Sequence, residues 1–242
     1  RIPWFFLRQK EAAWQDEGFS RESGFDRRRI FSYVSSMPDP AAPSLQVAYR
    51  KAVRELIRRD LQEVCRRCGA ELRGGRIVLR FFGLPVEIRP PGSGGAEEEA
   101  WFSPPEPPLV EKILILHYLL AAGGRGRTEK MVSFKQLPGA SFYEPAYRRR
   151  GPQRIERRFG SDLELFRRAC RALAWEEGEL GDASCSIEVF PRLKAMVVLH
   201  RGDEEFPPEA TLLFSGEIAD WLPLEDVAVL SGLIASRLIK AA

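Results

Sequence analysis

The stretch from Leu109 to Ala122 constrains this chain most. Ile113, Leu114, Ile115, Leu116, Leu119 and Leu120 leave a helix drawn over it with no wet face. It is too short to cross a bilayer, because the apolar run Ile113 to Ala122 ends at Gly123-Gly124, well under the roughly 18 residues a spanning helix needs. Such a helix has to be surrounded by other elements of its own chain. With 242 residues, 44% of them hydrophobic, there is enough apolar material for one sizeable core around it. The expectation is a single α+β domain, two β-hairpins packed around a buried central helix with several further helices.

The partners of that helix are legible on both sides of it. Cys185, Ile187 and Val189 alternate with Ser184, Ser186 and Glu188, the period of a half-buried strand. Met196 to Leu199 and Ala210 to Phe214 flank a Gly202-Asp203 turn and read as a hairpin, after which Pro223 opens a helix whose positive end suits Glu225 and Asp226. Upstream, Arg76 to Phe81 and Val86 to Arg89 form the other hairpin, about Phe82-Gly83-Leu84-Pro85. Tyr49, Val53, Leu56, Ile57, Leu61, Val64 and Cys68 recur at helical spacing, which predicts a helix from Leu45 to Cys68 capped by Gly69. Pro90 to Pro108 reads as a long surface excursion.

Three Ser-x-x-Glu/Gln pairs, Ser133 with Gln136, Ser141 with Glu144 and Ser161 with Glu164, have capping-box spacing. They predict a short turn and then helices over Phe142 to Arg150 and Asp162 to Trp175, with a further piece from Gln153 to Phe159 stopped by Gly160. Residues 1–44 hold clustered aromatics without a sustained period and close on a proline-rich linker. They read as an irregular N-terminal extension or an upstream artefact, with Met37 as an alternative start and the α+β domain over 45–242.

Charge excludes more than it assigns. Lys plus Arg number 37 against 34 Asp plus Glu, a net +3, which argues for neither a nucleic-acid nor a membrane partner. Four cysteines are too few for a disulfide scaffold, so a reducing, cytoplasmic setting is expected. Cys65-Arg66-Arg67-Cys68 has the spacing of half a metal site, but Cys170 and Cys185 do not form a second pair. Cys68, Cys170 and Cys185 also fall on apolar faces, so no metal site is assigned.

His117 sits inside the most apolar helix, either as a hydrogen-bonded core residue or as a base with a shifted pKa; it is the candidate buried functional residue. His200 with Asp203, Glu204 and Glu205 places an imidazole and three carboxylates about one turn, a divalent-cation arrangement or a solvated acidic turn. Nine arginines between Arg148 and Arg171 suit either RNA or an ion-paired helix surface, since Glu156, Asp162 and Glu164 interleave with them. Walker, Rossmann, nucleophile-elbow and zincin motifs are absent, and no catalytic set is identified.

Five blocks come in the order and rough spacing of a known family: Ile113 to Leu119, Val132 to Gly139, Phe190-Pro191-Arg192, Gly202 to Phe206 and Leu222 to Leu230. From about Leu45 to Ala242 the chain resembles domain-of-unknown-function family three-seven-eight-six. The resemblance implies a soluble protein of the kind found mostly in anaerobic bacteria and archaea, often fused to a four-cysteine iron-sulfur module that is missing from this sequence. It carries over no catalytic residues. Its polar blocks offer Ser133, Lys135, Arg192, Asp203 and Glu205 as candidate ligand-binding residues. The function it implies is an accessory or ligand-binding domain in anaerobic metallocofactor or one-carbon metabolism, with an iron-sulfur or corrinoid protein as partner and the cofactor itself unidentified. Two alternatives stay open: a metal-dependent enzyme using His200, Asp203 and Glu205, and an RNA-binding protein using the Arg148–Arg171 helices.

Overall fold

The helical spacing upstream of residue 68 produces two helices, α1 (Ala42–Leu56) and α2 (Leu61–Cys68), where the periodicity alone predicted one. The break falls at Asp60, whose carboxylate accepts the Gln62 and Glu63 amides at 2.9 and 3.4 Å and so starts a new helix. Gly69 closes α2 at φ 69°, as a left-handed cap. The computed structural model describes residues 42–92, 99–121 and 130–242; residues 1–41 of the N-terminal extension and Gly123-Gly124 lie outside the described residues, while residues 42–44, read as part of that irregular extension, are the first of α1.

A four-stranded antiparallel sheet follows, in the order β1 (Glu71–Arg73), β2 (Arg76–Phe81), β3 (Leu84–Arg89), β4 (Trp101–Phe102). The hairpin turn is tighter than its sequence suggested: Phe82 and Gly83 alone make it, at φ 50° and 75°, the twist-compatible type. Phe82 is held in this uncommon conformation by what packs on it. Its amide donates to the Val189 carbonyl at 3.0 Å, and the Arg237 guanidinium lies 3.9 Å from its ring centroid. The described end of the expected surface excursion is docked, because Phe102 is buried and the Tyr49 hydroxyl bonds both the N–H and the carbonyl of Ala100.

The apolar run forms α3 (Leu109–Leu120), buried at Ile113 to Leu116, Tyr118 and Leu119. Beyond it come β5 (Met131–Ser133), α4 (Glu144–Arg150), α5 (Pro152–Phe159), α6 (Leu163–Ala172), β6 (Glu176–Gly178), β7 (Ala183–Phe190), β8 (Leu193–His200), β9 (Glu209–Ser215), α7 (Ile218–Trp221) and α8 (Leu224–Ala241). The second sheet is five-stranded and antiparallel, ordered β5-β9-β8-β7-β6. The Ser133–Gln136 box closes as expected, while α6 takes Asp162 and not Ser161 as its cap, the Asp162 carboxylate accepting Leu165 N–H at 2.9 Å.

Helices α5 and α6 lie against the second sheet, and α8 packs across α4, α5 and α6. Helix α3 runs antiparallel to α8, for Glu111 pairs with Arg237 at 3.0 Å and His117 with Asp226 at 2.6 Å. The two sheets meet where β2 packs on β7. Buried apolar residues from both sheets and from α1, α2, α3, α5, α6 and α8 form one continuous cluster, so the α+β fold is a single domain about the central helix. Among the described residues no helix is long and apolar enough to cross a membrane.

Candidate functional site

Helix α3 owes its position to Tyr118, and that position decides where His117 points. Tyr118 is fully buried, stacked on Phe190 at 4.1 Å and on Trp221 at 5.0 Å between ring centroids. One residue earlier on the helix, His117 is turned away from that stack by about 100°. It emerges between α1, α3 and the start of α8, with 31% of its side chain exposed. There it lines a cavity of about 360 Å³, together with Glu55 of α1, Leu120 and Ala121 at the end of α3, and Ala219 to Pro223.

Asp226 fixes the imidazole. Its Oδ2 lies 2.6 Å from His117 Nδ1, and the carboxylate is largely buried, at 13% side-chain exposure. The hydrogen bond to Asp226 holds the His117 pKa above its usual value. Burial opposes the shift, while the charges of Asp226, Glu225 and Glu55 reinforce it. With Nδ1 committed to the carboxylate, Nε2 is the atom left to exchange a proton or a hydrogen bond with a bound molecule. Trp221 lines the same cavity at 2% exposure, and its indole N–H is buried without a partner among the described residues.

The raised pKa has a sign that can be tested. Below the unfolded-state value near 6.5 the charged His117 favours the folded state, and that contribution fades as pH rises through the higher folded value. Replacing Asp226 with Asn should therefore destabilise most between about pH 5 and 6.5 and progressively less above it. It should also bring the His117 titration down, which NMR can follow with His200→Gln to assign the two histidines. An unchanged His117 titration in Asp226→Asn would contradict the pairing.

The five residues offered by the polar blocks are not brought together. The Ser133 N–H and hydroxyl donate to Gln136 Oε1 at 2.8 and 3.3 Å, and Lys135 pairs with Glu144 at 3.3 Å on the surface. Arg192 lies in the β7–β8 turn against the end of α2, where a Cβ on Gly69 would meet its Nε at 3.3 Å. Asp203 and Glu205 lie past the other end of β8, roughly 26 Å along an eight-residue strand. The Asp203 carboxylate accepts Glu205 and Phe206 N–H groups at 2.9 and 2.7 Å, which lower its pKa; this turn is a local Asx structure.

Among the described residues no three of His, Cys, Asp and Glu gather as metal ligands, the His200 turn included. All four cysteines are buried free thiols: the Cys68 thiol faces the Tyr118 and Leu119 carbonyls and is pushed up to about 11 mainly by burial, while Cys170 and Cys185 share a hydrogen bond. The donor set does not fit an iron-sulfur cluster. In the arginine-rich stretch, Arg154 is spent inside the fold, donating to the Arg150 and Gly232 carbonyls and to Ser236 Oγ. Arg148, Arg167 and Arg171 pair with Glu156, Glu164 and Glu177.

The family model described as Domain of unknown function (DUF3786) matches residues 60–237, about three quarters of the chain. The chain belongs to this family. The DUF3786 match begins at the cap of α2 and ends within α8, so it takes in His117, Asp226 and the Ala219 to Pro223 wall, while Glu55 on α1 lies before it. No curated protein and no solved structure matches the chain.

Periodicity gave no signal for Asp226. A carboxylate in the first turn of α8 suits the helix dipole wherever it points, so nothing local distinguished it from Glu225 beside it. What separates them is burial: Asp226 is 9% exposed on the α3 side, whereas Glu225 is exposed.

Proposed function

We propose that this domain is an accessory protein that binds a small molecule, and that the cavity at His117 is where the molecule sits. The observation that carries this reading is one imidazole, its Nδ1 anchored at 2.6 Å by a largely buried carboxylate, set in the wall of an otherwise mainly apolar cavity of about 360 Å³. That volume falls in the range of small-ligand sites, roughly 300–1,000 Å³, and one oriented polar group on an apolar wall is how such sites combine affinity with orientation. The family resemblance supplies the setting, a part in anaerobic metallocofactor or one-carbon metabolism beside an iron-sulfur or corrinoid protein. The buried thiols favour a part that binds a small molecule over one that holds a cluster itself.

Ala219 provides the test, because it is exposed and lines the cavity. Ala219→Trp should fill the site from its rim with little effect on the melting temperature. In ligand-observed NMR of the whole chain against a panel of small metabolites, compounds that bind the wild type should bind this variant at least about tenfold more weakly, a loss of one cavity's worth of contact. If every binder is retained at full strength, the cavity is not the site.

A further inference from the structure

We propose that the cavity takes an organic cation: an amine on an apolar body. This rests on the reading of the cavity as a binding site and adds the class of molecule. Of the residues that line it, Glu55 and Asp220 carry negative charge and His117 alone can carry positive charge. Glu55 is partly offset by Arg59 at 2.8 Å, an exposed pair open to solvent screening. A carboxylate or phosphate entering here would meet these two carboxylates with no lysine or arginine in the lining to receive it, which selects against anions as firmly as it favours cations.

The apolar body follows from Leu120, Ala121 and Leu222 in the wall. Trp221 closes the same wall: the residue is 2% exposed, and its indole N–H lies beneath the surface, out of reach of a bound molecule. His117 completes the arrangement when neutral, because its Nε2 lone pair accepts an ammonium N–H.

Binding of the cation is therefore linked to loss of the His117 proton. The charged groups that face His117 are Asp226 and Glu225 from α8, Glu55 from α1 with its partner Arg59, and Asp220 from α7 in the same lining; Asp226, Glu225 and Glu55 retain the proton, and a bound cation opposes them. Affinity for a cation should thus rise with pH through the His117 titration.

Three probes of one shape separate the charge classes: phenethylamine, 3-phenylpropanoate and 3-phenylpropanamide are cationic, anionic and neutral, and the amine, like that of lysine, keeps its charge through about pH 8. On the full chain, phenethylamine should bind at least about tenfold more tightly than the anion, more tightly at about pH 8 than at about pH 6, and shift the His117 signals. Glu55→Gln with Asp220→Asn, both partly or fully exposed, should abolish that preference. If 3-phenylpropanoate binds as well or better with the same signals moving, the cavity reading stands and the cation class is overturned. If phenethylamine leaves the His117 signals unmoved while other Ala219→Trp-sensitive binders exist, the proposal is again overturned. If no compound of any class is sensitive to Ala219→Trp, the binding-site reading itself has failed.

Discussion

Cutting Tyr118 back to alanine is expected to lower the free energy of unfolding by about 3–5 kcal/mol, enough to leave a domain of ordinary stability barely folded. The ring is fully buried and is held face to face with Phe190 of β7 and with Trp221 of α7, so removing it opens a cavity between the central helix and the second sheet. Its hydroxyl also donates to the Cys68 carbonyl at 2.6 Å, and the Cys68 thiol reaches back to the Tyr118 carbonyl at 3.6 Å, so the same residue ties α2 to α3. Tyr118→Phe separates the two contributions. It keeps the stack and leaves the carbonyl unmet, and should cost about 1–3 kcal/mol. Urea unfolding of both variants measures the difference; a loss under about 1 kcal/mol in the alanine variant would mean the stack does not hold the helix.

The second large effect is expected at Gly160. A Cβ built there would lie 2.4 Å from both Cβ and Cγ of Pro208 and 2.5 Å from the Glu156 carbonyl oxygen. Gly160→Ala must therefore push α5 off the β8–β9 connection, and should cost about 1–3 kcal/mol or more. Gly92→Ala is the control, since nothing lies within 4 Å of its added carbon, and it should stay within about 0.5 kcal/mol. Equal melting temperatures for the two variants would refute the close approach.

Gly160 also shows how a correct sequence reading can have the wrong cause. The residue stops α5 as its position predicted, yet its φ is −61° and not left-handed, so conformational freedom is not what requires glycine there. The requirement comes from Pro208, far along the chain, and no local rule contains it. Most of the fold was legible for the opposite reason. The all-apolar face of α3, the alternation in β7 and the turns after Phe81 and His200 are properties of short stretches, and burial acts on each in the direction its pattern indicates.

What local pattern misreads is where two causes compete. Tyr49 to Cys68 keeps one helical period, but the Asp60 carboxylate caps a fresh helix within it. The candidate site was half legible on the same terms. His117 stood out as a titratable group in an apolar helix, whereas Asp226, Glu55 and Trp221 reach it from 109, 62 and 104 residues away, a proximity that only the packing of α1, α7 and α8 against α3 creates.

The outer strands of both sheets are very short: three residues each in β5, β6 and β1, and two in β4. Beside the eight-residue β7, such stubs leave a flank on which another polypeptide could in principle template a fibril. Here one position of that flank is met from within, because the Phe82 amide at the tip of the first sheet donates to the Val189 carbonyl beyond the reach of β6. The corner that joins the two sheets thus also fills one place on the edge of β7, and the left-handed backbone at Phe82 is what aims that amide at it.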